Sequence, residues 1–474
     1  MTANDTQTRH AGLSGGPDVE VIATSSLGDR SYLATDGRTA VVVDPQRDVD
    51  RILAVAGRRE VRIGLVLETH VHNDYVSGGL ELARLTGADY GMAAADELPF
   101  GHLPLEDGQL LEVSRNLRIR VVATPGHTYH HLSYLLEGEL GTVGAFTGGS
   151  LLFGTTGRTD LLGEQHSEPL ARHQHASAHK LAELLPAGAH LWPTHGFGSF
   201  CSASQSAGDS STIGAEKRCN PALTLSEREF VDQLLTGLDT YPAYYAHMGV
   251  HNSAGPEPLD LRRPAQASPD ELARRLERGE WVVDLRSRKA YVRSHLLGTI
   301  SLGLDGPLAT WLGWMIDWGA PLTLLGETPE EVSEAQRELA RIGIDKFAAA
   351  ATGYPQQLAA DPGQLRATTT ATFHDLARTR SGENAGFPDA DVVLDVRTNN
   401  EFHKSHISGA VHIPLYELSK RSEEISSGTV WVHCGSGYRA AAASSLLESA
   451  GRRTVLIDDS FSAADSTGLE VLRS

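Results

Sequence analysis

The strongest constraint on the fold is an internal repeat in the C-terminal half of the chain. Residues 282–286 align with residues 393–397, and the aspartate of each copy precedes a histidine by 11 residues and a glycine by 14. Each copy contains a short apolar run, which is typical of a buried strand, and a later helical stretch that ends at a glycine. The sequence therefore predicts that one α/β domain occurs twice.

The rest of the chain predicts at least one further domain. A chain of 474 residues exceeds what a single hydrophobic core usually organises. Short apolar runs followed by a helical pattern near the N-terminus indicate a layered α/β domain. The expected organisation is a flexible tail over residues 1–17, an α/β domain over 18–250, a linker over 251–267, a first repeat domain over 268–360 and a second repeat domain over 370–474.

The composition of the chain limits the kinds of molecule that it is expected to bind. The formal net charge of −19 disfavours nucleic acid and anionic lipid surfaces, because both would repel such a chain. Three cysteines cannot form a disulfide framework and fit a reducing cytoplasm. No stretch approaches the roughly 18 apolar residues of a membrane span. We expect a cytoplasmic protein with small-molecule partners and no membrane or nucleic-acid partner; a homo-oligomer is compatible with the sequence.

A cysteine loop in the second repeat carries the clearest chemistry. Cys434 follows an apolar strand and precedes an alanine-rich helix. A thiol at a helix N-terminus meets unsatisfied backbone N–H groups and the positive end of the helix dipole, which favour its thiolate. Gly435 and Gly437 allow the loop to curl around the sulfur, and Arg439 adds a positive charge. A buried structural cysteine is the alternative, but these neighbours favour a nucleophile that carries a persulfide.

The first repeat lacks this chemistry. Gly326 aligns with the cysteine and Glu331 with the arginine. Without a thiol this copy cannot accept sulfur, so a spacer or interface role is expected.

Histidines at the ends of predicted strands indicate a metal site in the first domain. His70 and His72 alternate after one apolar run, Asp74 follows them, and His127 follows another run. Neighbouring strand ends can bring such imidazoles onto one metal. A solvated polar loop would be the better interpretation of a single such motif. Two later segments complete the pattern: Phe146 to Gly149 and Pro193 to Gly196.

These motifs resemble two known families. The cysteine loop, with the segments around Asp395 and His406, resembles the rhodanese family. The histidine segments, in this order, resemble the metallo-β-lactamase superfamily, and within it the persulfide dioxygenases that are fused to two rhodanese domains. The resemblance covers nearly the whole chain. It implies an αββα sandwich followed by two rhodanese-like α/β domains, with Cys434 as sulfur acceptor and Arg439 as organiser of its loop.

The resemblance also implies an iron site, from which this sequence departs. The family's iron ligands correspond to His70, His127 and Gly149, and glycine offers no ligand. Either His72, Asp74 or Asp160 completes a site for iron(II) or zinc(II) in another geometry, or the site is empty. Tyr75 replaces a histidine that would hold a second metal, which disfavours a two-metal hydrolase.

Four further residues have secondary roles in this hypothesis. Arg158 and Asp160 would orient the histidines or the substrate, with a structural salt bridge as the alternative. His195 and Cys201 would bind substrate or relay a persulfide, although a buried structural thiol is as good an interpretation of Cys201. Cys219 carries no motif and is expected to be inert.

The leading hypothesis is a rhodanese-type sulfurtransferase that acts on a thiol persulfide, such as glutathione persulfide, or on thiosulfate through Cys434. Persulfide dioxygenase activity would accompany it if the histidine site binds iron. Two alternatives remain. One is a hydrolase of a thioester or glutathione adduct, and the other is a non-catalytic sulfur carrier or scaffold.

Overall fold

The structure is a computed structural model that describes residues 16–196, 198–205, 208–383 and 386–474. Apart from its last two residues, the predicted flexible tail lies outside this part of the chain. The chain divides into two compact units, Met1–Leu259 with Ala340–Gly343 and Asp260–Leu339 with Ile344–Ser474.

The first unit contains two six-stranded sheets. One sheet pairs its strands in sequence order, first antiparallel and then parallel: β1 Asp18–Thr24, β2 Asp29–Thr35, β3 Thr39–Val43, β4 Arg62–Leu67, β5 Asp89–Ala93 and β6 Leu103–Leu105. The other sheet also follows sequence order: β7 Leu110–Ser114, β8 Leu117–Ala123, β9 Leu132–Gly138, β10 Gly141–Gly148, β11 His190–Pro193 and β12 Ser211–Thr212.

Seven helices belong to the described part of this unit: α1 Asp50–Arg59, α2 Gly79–Thr86, α3 Glu164–Leu184, α4 Ile213–Cys219, α5 Pro221–Thr224, α6 Glu227–Gly237 and α7 Tyr245–Ala254. Three apolar cores define the layers. One joins the inner faces of the two sheets, one packs α1 and α2 on the first sheet, and one packs α3 and α6 on the second sheet. Alternating inward and outward side chains give each sheet two apolar faces, so helices cover both outer sides. The first unit is thus an αββα sandwich.

The second unit contains both repeats. The elements of the first are α8 Pro269–Glu277, β13 Trp281–Asp284, α9 Arg288–Arg293, β14 His295–Leu296, β15 Ile300–Ser301, α10 Leu308–Met315, β16 Leu322–Gly326, α11 Pro329–Arg341, β17 Ala349–Thr352, α12 Pro355–Leu358 and β18 Leu365–Arg366. The elements of the second are β19 Thr369–Ala371, α13 Phe373–Arg380, β20 Val392–Asp395, α14 Asn399–Lys404, β21 Ser405–Ile407, β22 Val411–His412, α15 Leu418–Arg421, β23 Thr429–His433, α16 Tyr438–Ser449, β24 Arg453–Ile457 and β25 Val471–Arg473.

The two repeats share one topology. The first sheet has the order β15-β13-β16-β17, and the second contains β22-β20-β23-β24 with β19 added at its edge. In the first repeat, Nη2 of Arg286 donates to the Asp284 carboxylate and to the backbone oxygen of Ser294. Arg397 makes the matching bonds to Asp395 and to the oxygen of Ser405. The repeated sequence therefore encodes a repeated buried ion pair that ties the end of a central strand to the turn after the next helix.

The predicted linker is shorter than expected at its N-terminal side. Helix α7 continues to Ala254, so residues 251–254 are helical rather than irregular. The physical reason is Asn252, which is buried and bonded to the first unit instead of being exposed as a linker residue would be. Among the helices of the described residues, none is long and apolar enough to cross a membrane.

Candidate metal centre and cysteine loop

In each of four histidines of the first unit, one ring nitrogen contacts a polar atom and the other has no hydrogen-bond partner among the described residues. The Nδ1 atom of His70 lies 2.9 Å from Thr69 Oγ1, and that of His127 lies 2.7 Å from the backbone oxygen of Arg158. The remaining nitrogens are buried and, within the described residues, have no hydrogen-bond partner: Nε2 of His70, Nδ1 of His72, Nε2 of His127 and Nε2 of His195. Orienting one nitrogen while freeing the other is how proteins prepare imidazoles for a metal. These side chains therefore fit a metal ion.

His127 is seated between two glycines. A Cβ at Gly149 would lie 2.3 Å from Cδ2 of His127, and a Cβ at Gly157 would lie 2.7 Å from its Nδ1. Burial and the nearby charge of His195 lower the pKa of His127 to about 3. The space beside Gly149 is thus filled by the imidazole, and Gly149 offers no metal ligand. Sequence reasoning missed Gly157, whose lack of a side chain is the only signal.

His195 lies beside two carboxylates. Its Nδ1 is 3.1 Å from Oδ1 of Asp29 and 3.1 Å from Oδ2 of Asp74. Backbone pairing of the segment after β11 with the start of β2 holds it there, because His195 and Asp29 form an antiparallel bridge. Burial alone would lower the pKa of His195, but the two carboxylates raise it to about 9. Asp74 therefore lies at the centre as predicted, and it contacts His195.

His72 is held by a second carboxylate pair. Its Nε2 lies 3.1 Å from Oε2 of Glu68 and 3.2 Å from Oδ1 of Asp44. Tyr75 stacks on the ring, with Oη 2.9 Å from the same nitrogen. Burial would lower the pKa of His72, but Asp44 and Glu68 raise it to about 10. No sequence motif marks Asp44, which lies directly after β3 and outside the histidine motif.

Among the described residues, three groups of candidate ligand atoms share His195: one with Asp29 and Asp74, and two with further histidines or a cysteine. Atoms of His70, His72 and His195 lie within 4.8 Å of one another, and so do atoms of His127, His195 and Cys201. Cys201 is fully buried, and burial followed by the charge of Asp74 raises the pKa of its thiol well above the usual range. The predicted residues therefore converge, and His195, which sequence reasoning assigned to substrate, is common to all three groups.

Arg158 and Asp160 form an ion pair next to the centre. Nε and Nη2 of Arg158 donate to the two carboxylate oxygens of Asp160 at 2.7 and 2.8 Å. The guanidinium also stacks over the ring of Tyr241. Asp160 is thereby engaged by an arginine, and it is not part of any candidate ligand group found in the described residues. Its contacts support the salt-bridge interpretation.

Asn252 anchors the histidine segment, and sequence reasoning missed it. Its side-chain Nδ2 donates to the backbone oxygens of His72 and Tyr75, both at 2.8 Å, and its Oδ1 accepts from the backbone N–H of Ser77 at 2.8 Å. One buried amide thus fixes the loop that follows β4. The residue lies about 180 positions from His72 in the chain, so only the fold connects them.

The cysteine loop of the second unit has the predicted geometry at its sulfur. Cys434 follows β23, is 1% exposed, and its Sγ accepts a hydrogen bond from the backbone N–H of Gly437 at 3.1 Å. Gly437 has φ of 97°, a left-handed conformation that favours glycine, and it begins α16. The loop therefore aims at least one backbone amide of the helix N-terminus at the sulfur.

Arg439 packs against this loop and is held in place by the carboxylate of Glu401. Its Nη2 donates to Oε1 of Glu401 at 2.8 Å, and a Cβ at Gly435 would lie 3.0 Å from that Nη2. Burial would raise the pKa of Glu401, but Arg439 lowers it to about 2. The guanidinium thus packs directly against the loop at Gly435.

The first repeat contributes to the surroundings of the loop. Nε of Arg288 donates to Oδ1 of Asp458 at 2.7 Å, and both atoms lie against Gly437. The hydroxyl of Tyr438 donates to the backbone oxygen of Gly303 at 2.9 Å. In the first repeat itself, Oε2 of Glu331 accepts from the backbone N–H groups of Glu327 and Thr328 at 2.6 and 3.4 Å. These contacts bring residues of the first repeat next to the loop, and the spacer or interface role of this repeat stays a prediction.

Comparisons with known proteins agree with this architecture. Residues 29–201 match the metallo-beta-lactamase superfamily model and residues 380–466 match the rhodanese-like domain model. A metallo-beta-lactamase crystal structure from Staphylococcus aureus superposes with a TM-score of 0.63 and 28% identity, covering 71% of this chain and 99% of that one. The protein is therefore a metallo-β-lactamase-fold protein that also carries a rhodanese-like domain.

Curated relatives define the family. The persulfide dioxygenase ETHE1, mitochondrial, of Homo sapiens is 30% identical over 214 residues, which are 44% of this chain and 74% of the relative. A hydroxyacylglutathione hydrolase of Halorhodospira halophila is 33% identical over 155 residues, 32% of this chain and 56% of the relative. The chain belongs to the persulfide dioxygenase family of ETHE1 and also carries a rhodanese-like domain, and its metallo-β-lactamase fold implies a metal, iron or zinc.

Proposed function

We propose that this protein is a sulfurtransferase that takes sulfur from a thiol persulfide or thiosulfate and carries it on Cys434. The observation that carries the proposal is the hydrogen bond from Gly437 N–H to Cys434 Sγ at the start of α16. A backbone amide and a helix N-terminus stabilise negative charge on sulfur in the nucleophile and in the persulfide. The rhodanese-like match over this region supports the same chemistry.

The transfer has two balanced steps. The Cys434 thiolate attacks the outer sulfur of the donor, the donor bond to that sulfur breaks, and the electron pair leaves on the donor thiolate or on sulfite. An acceptor thiol, sulfite or cyanide then attacks the outer sulfur of the Cys434 persulfide and restores the thiolate. Arg439 holds the loop at Gly435 throughout, and Glu401 fixes Arg439.

The test is thiosulfate:cyanide transfer by the full-length protein and its Cys434→Ser variant, with a mass spectrum after thiosulfate exposure. We expect transfer at background level in the variant and an added sulfur on Cys434 in the parent. Cys219→Ser is the matched control, because Cys219 is exposed and its Sγ donates to the backbone oxygen of Ala215 in its own helix. Transfer by Cys434→Ser above background would reject the proposal.

A second activity, persulfide oxidation at the histidine centre, is supported by the similarity to persulfide dioxygenase ETHE1. His70, His72, His127 and His195 would hold the metal, and bound iron would supply the dioxygen chemistry. Since Gly149 provides no carboxylate, we expect low iron occupancy and little oxygen uptake with glutathione persulfide. Anaerobic iron(II) titration followed by oxygen uptake tests this, and full occupancy with rapid uptake would contradict it.

The hydrolase alternative rests on the similarity to hydroxyacylglutathione hydrolase. Two features oppose it: Tyr75 stacks on His72 where a second-metal histidine would be needed, and Gly149 lacks a bridging carboxylate. Release of glutathione from a hydroxyacyl thioester by the zinc-loaded protein would support this alternative, whereas its absence under conditions that allow sulfur transfer would reject it.

A further inference from the structure

Gly149 gives the histidine centre no anionic ligand, and a buried thiol, that of Cys201, lies in its vicinity. At Gly149 the backbone carries no ligand, and the ring of His127 fills the adjacent space. A divalent cation held by the buried imidazoles alone would have no anionic ligand, which is costly. The Asp74 carboxylate at the centre faces Nδ1 of His195, and a thiolate beside His127 would add a second anionic group.

Cys201 is the group that meets this need at His127. Its Sγ and nitrogens of His127 and His195 lie within 4.8 Å of one another, and all three residues are buried. The Nε2 atoms of both histidines have no hydrogen-bond partner among the described residues. Two buried, unpartnered nitrogens beside a thiol therefore mark this group as a ligand set rather than a lone cysteine.

The backbone at Arg158 contacts both His127 and Cys201 and so positions them relative to each other. The backbone oxygen of Arg158 accepts from His127 Nδ1 at 2.7 Å, and the backbone N–H of Arg158 donates to the oxygen of Cys201 at 2.8 Å. Ala203 N–H donates to the oxygen of Thr156 at 2.9 Å and continues this pairing. Cys201 is thus fixed relative to His127 by main-chain contacts, as a metal ligand requires.

We propose that a divalent metal ion binds between His127, His195 and Cys201, with the Cys201 thiolate as the anionic ligand that Gly149 lacks. On binding, the thiol loses its proton to solvent and a metal–sulfur bond forms, with no change of oxidation state. Nitrogen and sulfur ligands together favour zinc over calcium, magnesium or manganese. Cys201 then acts as a structural part of the centre rather than as a persulfide relay.

The experiment is a titration with cobalt(II), a spectroscopic substitute for zinc. It uses the metal-free, full-length protein with Cys219→Ser and Cys434→Ser, so that Cys201 is the single remaining cysteine of the three. A matched protein carries Cys201→Ser in addition. We expect about one equivalent of cobalt and a thiolate-to-cobalt charge-transfer band in the first protein. The matched protein should lose the band and bind cobalt at least about 10-fold more weakly.

Either of two results would overturn the proposal: stoichiometric cobalt binding without the band in the first protein, or a band that persists after Cys201→Ser. X-ray absorption at the cobalt edge of the first protein needs no change at Cys201, so misfolding of the matched variant leaves the question decided. A sulfur neighbour supports the proposal, and a shell of nitrogen and oxygen alone rejects it. Sulfur transfer by the Cys201→Ser single variant reports on Cys434 independently.

Discussion

Arg439 and Glu401 form a bidentate ion pair against the cysteine loop, and Nη2 of the arginine lies 2.8 Å from Oε1 of the glutamate. The positive charge that sequence reasoning assigned to the sulfur is therefore shared with a carboxylate. Its principal effect is to hold the loop at Gly435, and this effect requires Glu401 to remain ionised.

The pH dependence of stability should report this pair. The pKa of Glu401 is lowered from 4.5 to about 2, so its contribution to the free energy of unfolding is complete above about pH 4.5 and disappears as the pH falls towards 2. Glu401→Gln should therefore be less stable than the parent at pH 7, with the difference shrinking across this window. Denaturant unfolding at several pH values measures it. A difference independent of pH, or one equalled by the exposed Glu423→Gln, would contradict the assignment.

Arg288 of the first repeat should affect transfer by Cys434. Its ion pair with Asp458 lies against Gly437, so Arg288→Gln leaves a carboxylate facing an anionic sulfur. We expect kcat/KM for thiosulfate to fall by about 10-fold, with little change in folding. The exposed neighbour Lys289→Gln serves as control and should retain the parent rate. Equal rates in both variants would show that the first repeat is only a spacer.

Filling the space at Gly149 should damage the histidine centre. A Cβ there would lie 2.3 Å from the His127 ring, so Gly149→Ala should cost about 1–3 kcal/mol of stability and weaken metal binding. Gly188→Ala is the control, because a Cβ at Gly188 meets nothing within 4 Å. Calorimetry and zinc titration measure the two effects. For the same steric reason Gly149→Asp should not restore an iron ligand, and a gain in iron occupancy would contradict this geometry.

Removing the Asn252 amide should loosen the loop after β4. Its three hydrogen bonds to His72, Tyr75 and Ser77 are buried, so Asn252→Ala should lower stability by about 1–3 kcal/mol. Iron(II) affinity should fall as well, because His72, one of the four histidines that would hold iron, moves with this loop. Val250→Ala on the same helix, where Val250 is 72% exposed, is expected to be neutral. Unchanged iron(II) affinity in Asn252→Ala would show that the loop is held by other contacts.

Elements with a local hydrophobic pattern could be predicted from the sequence, whereas contacts between residues that are distant in the chain could not. Period-two and buried apolar runs predicted β8 and most of β4, and apolar spacing predicted α2 in full. The repeat predicted the strand order shared by the two halves of the second unit. Motif spacing likewise predicted that His70, His72 and His127 converge.

The residues that orient the histidines of the centre could not be predicted from sequence motifs. Asp29 and Asp44 reach the histidines from a strand and a loop that are separated from them by many residues, and no motif marks them. Gly157 acts by having no side chain, which a single sequence cannot distinguish from a turn glycine. Helices α1 and α3 were also missed, although the buried residues Ile52, Val55 and Ala56 of α1 follow helical spacing and could have predicted that helix.

The Glu331 carboxylate determines what a thiol introduced into the first repeat would meet. In the first repeat this side chain already occupies the backbone amides after β16 that a sulfur anion would need. Introducing a thiol by Gly326→Cys alone would place two negative groups in competition for the same donors. A sulfur-carrying site in the first repeat would therefore need changes at both position 326 and position 331.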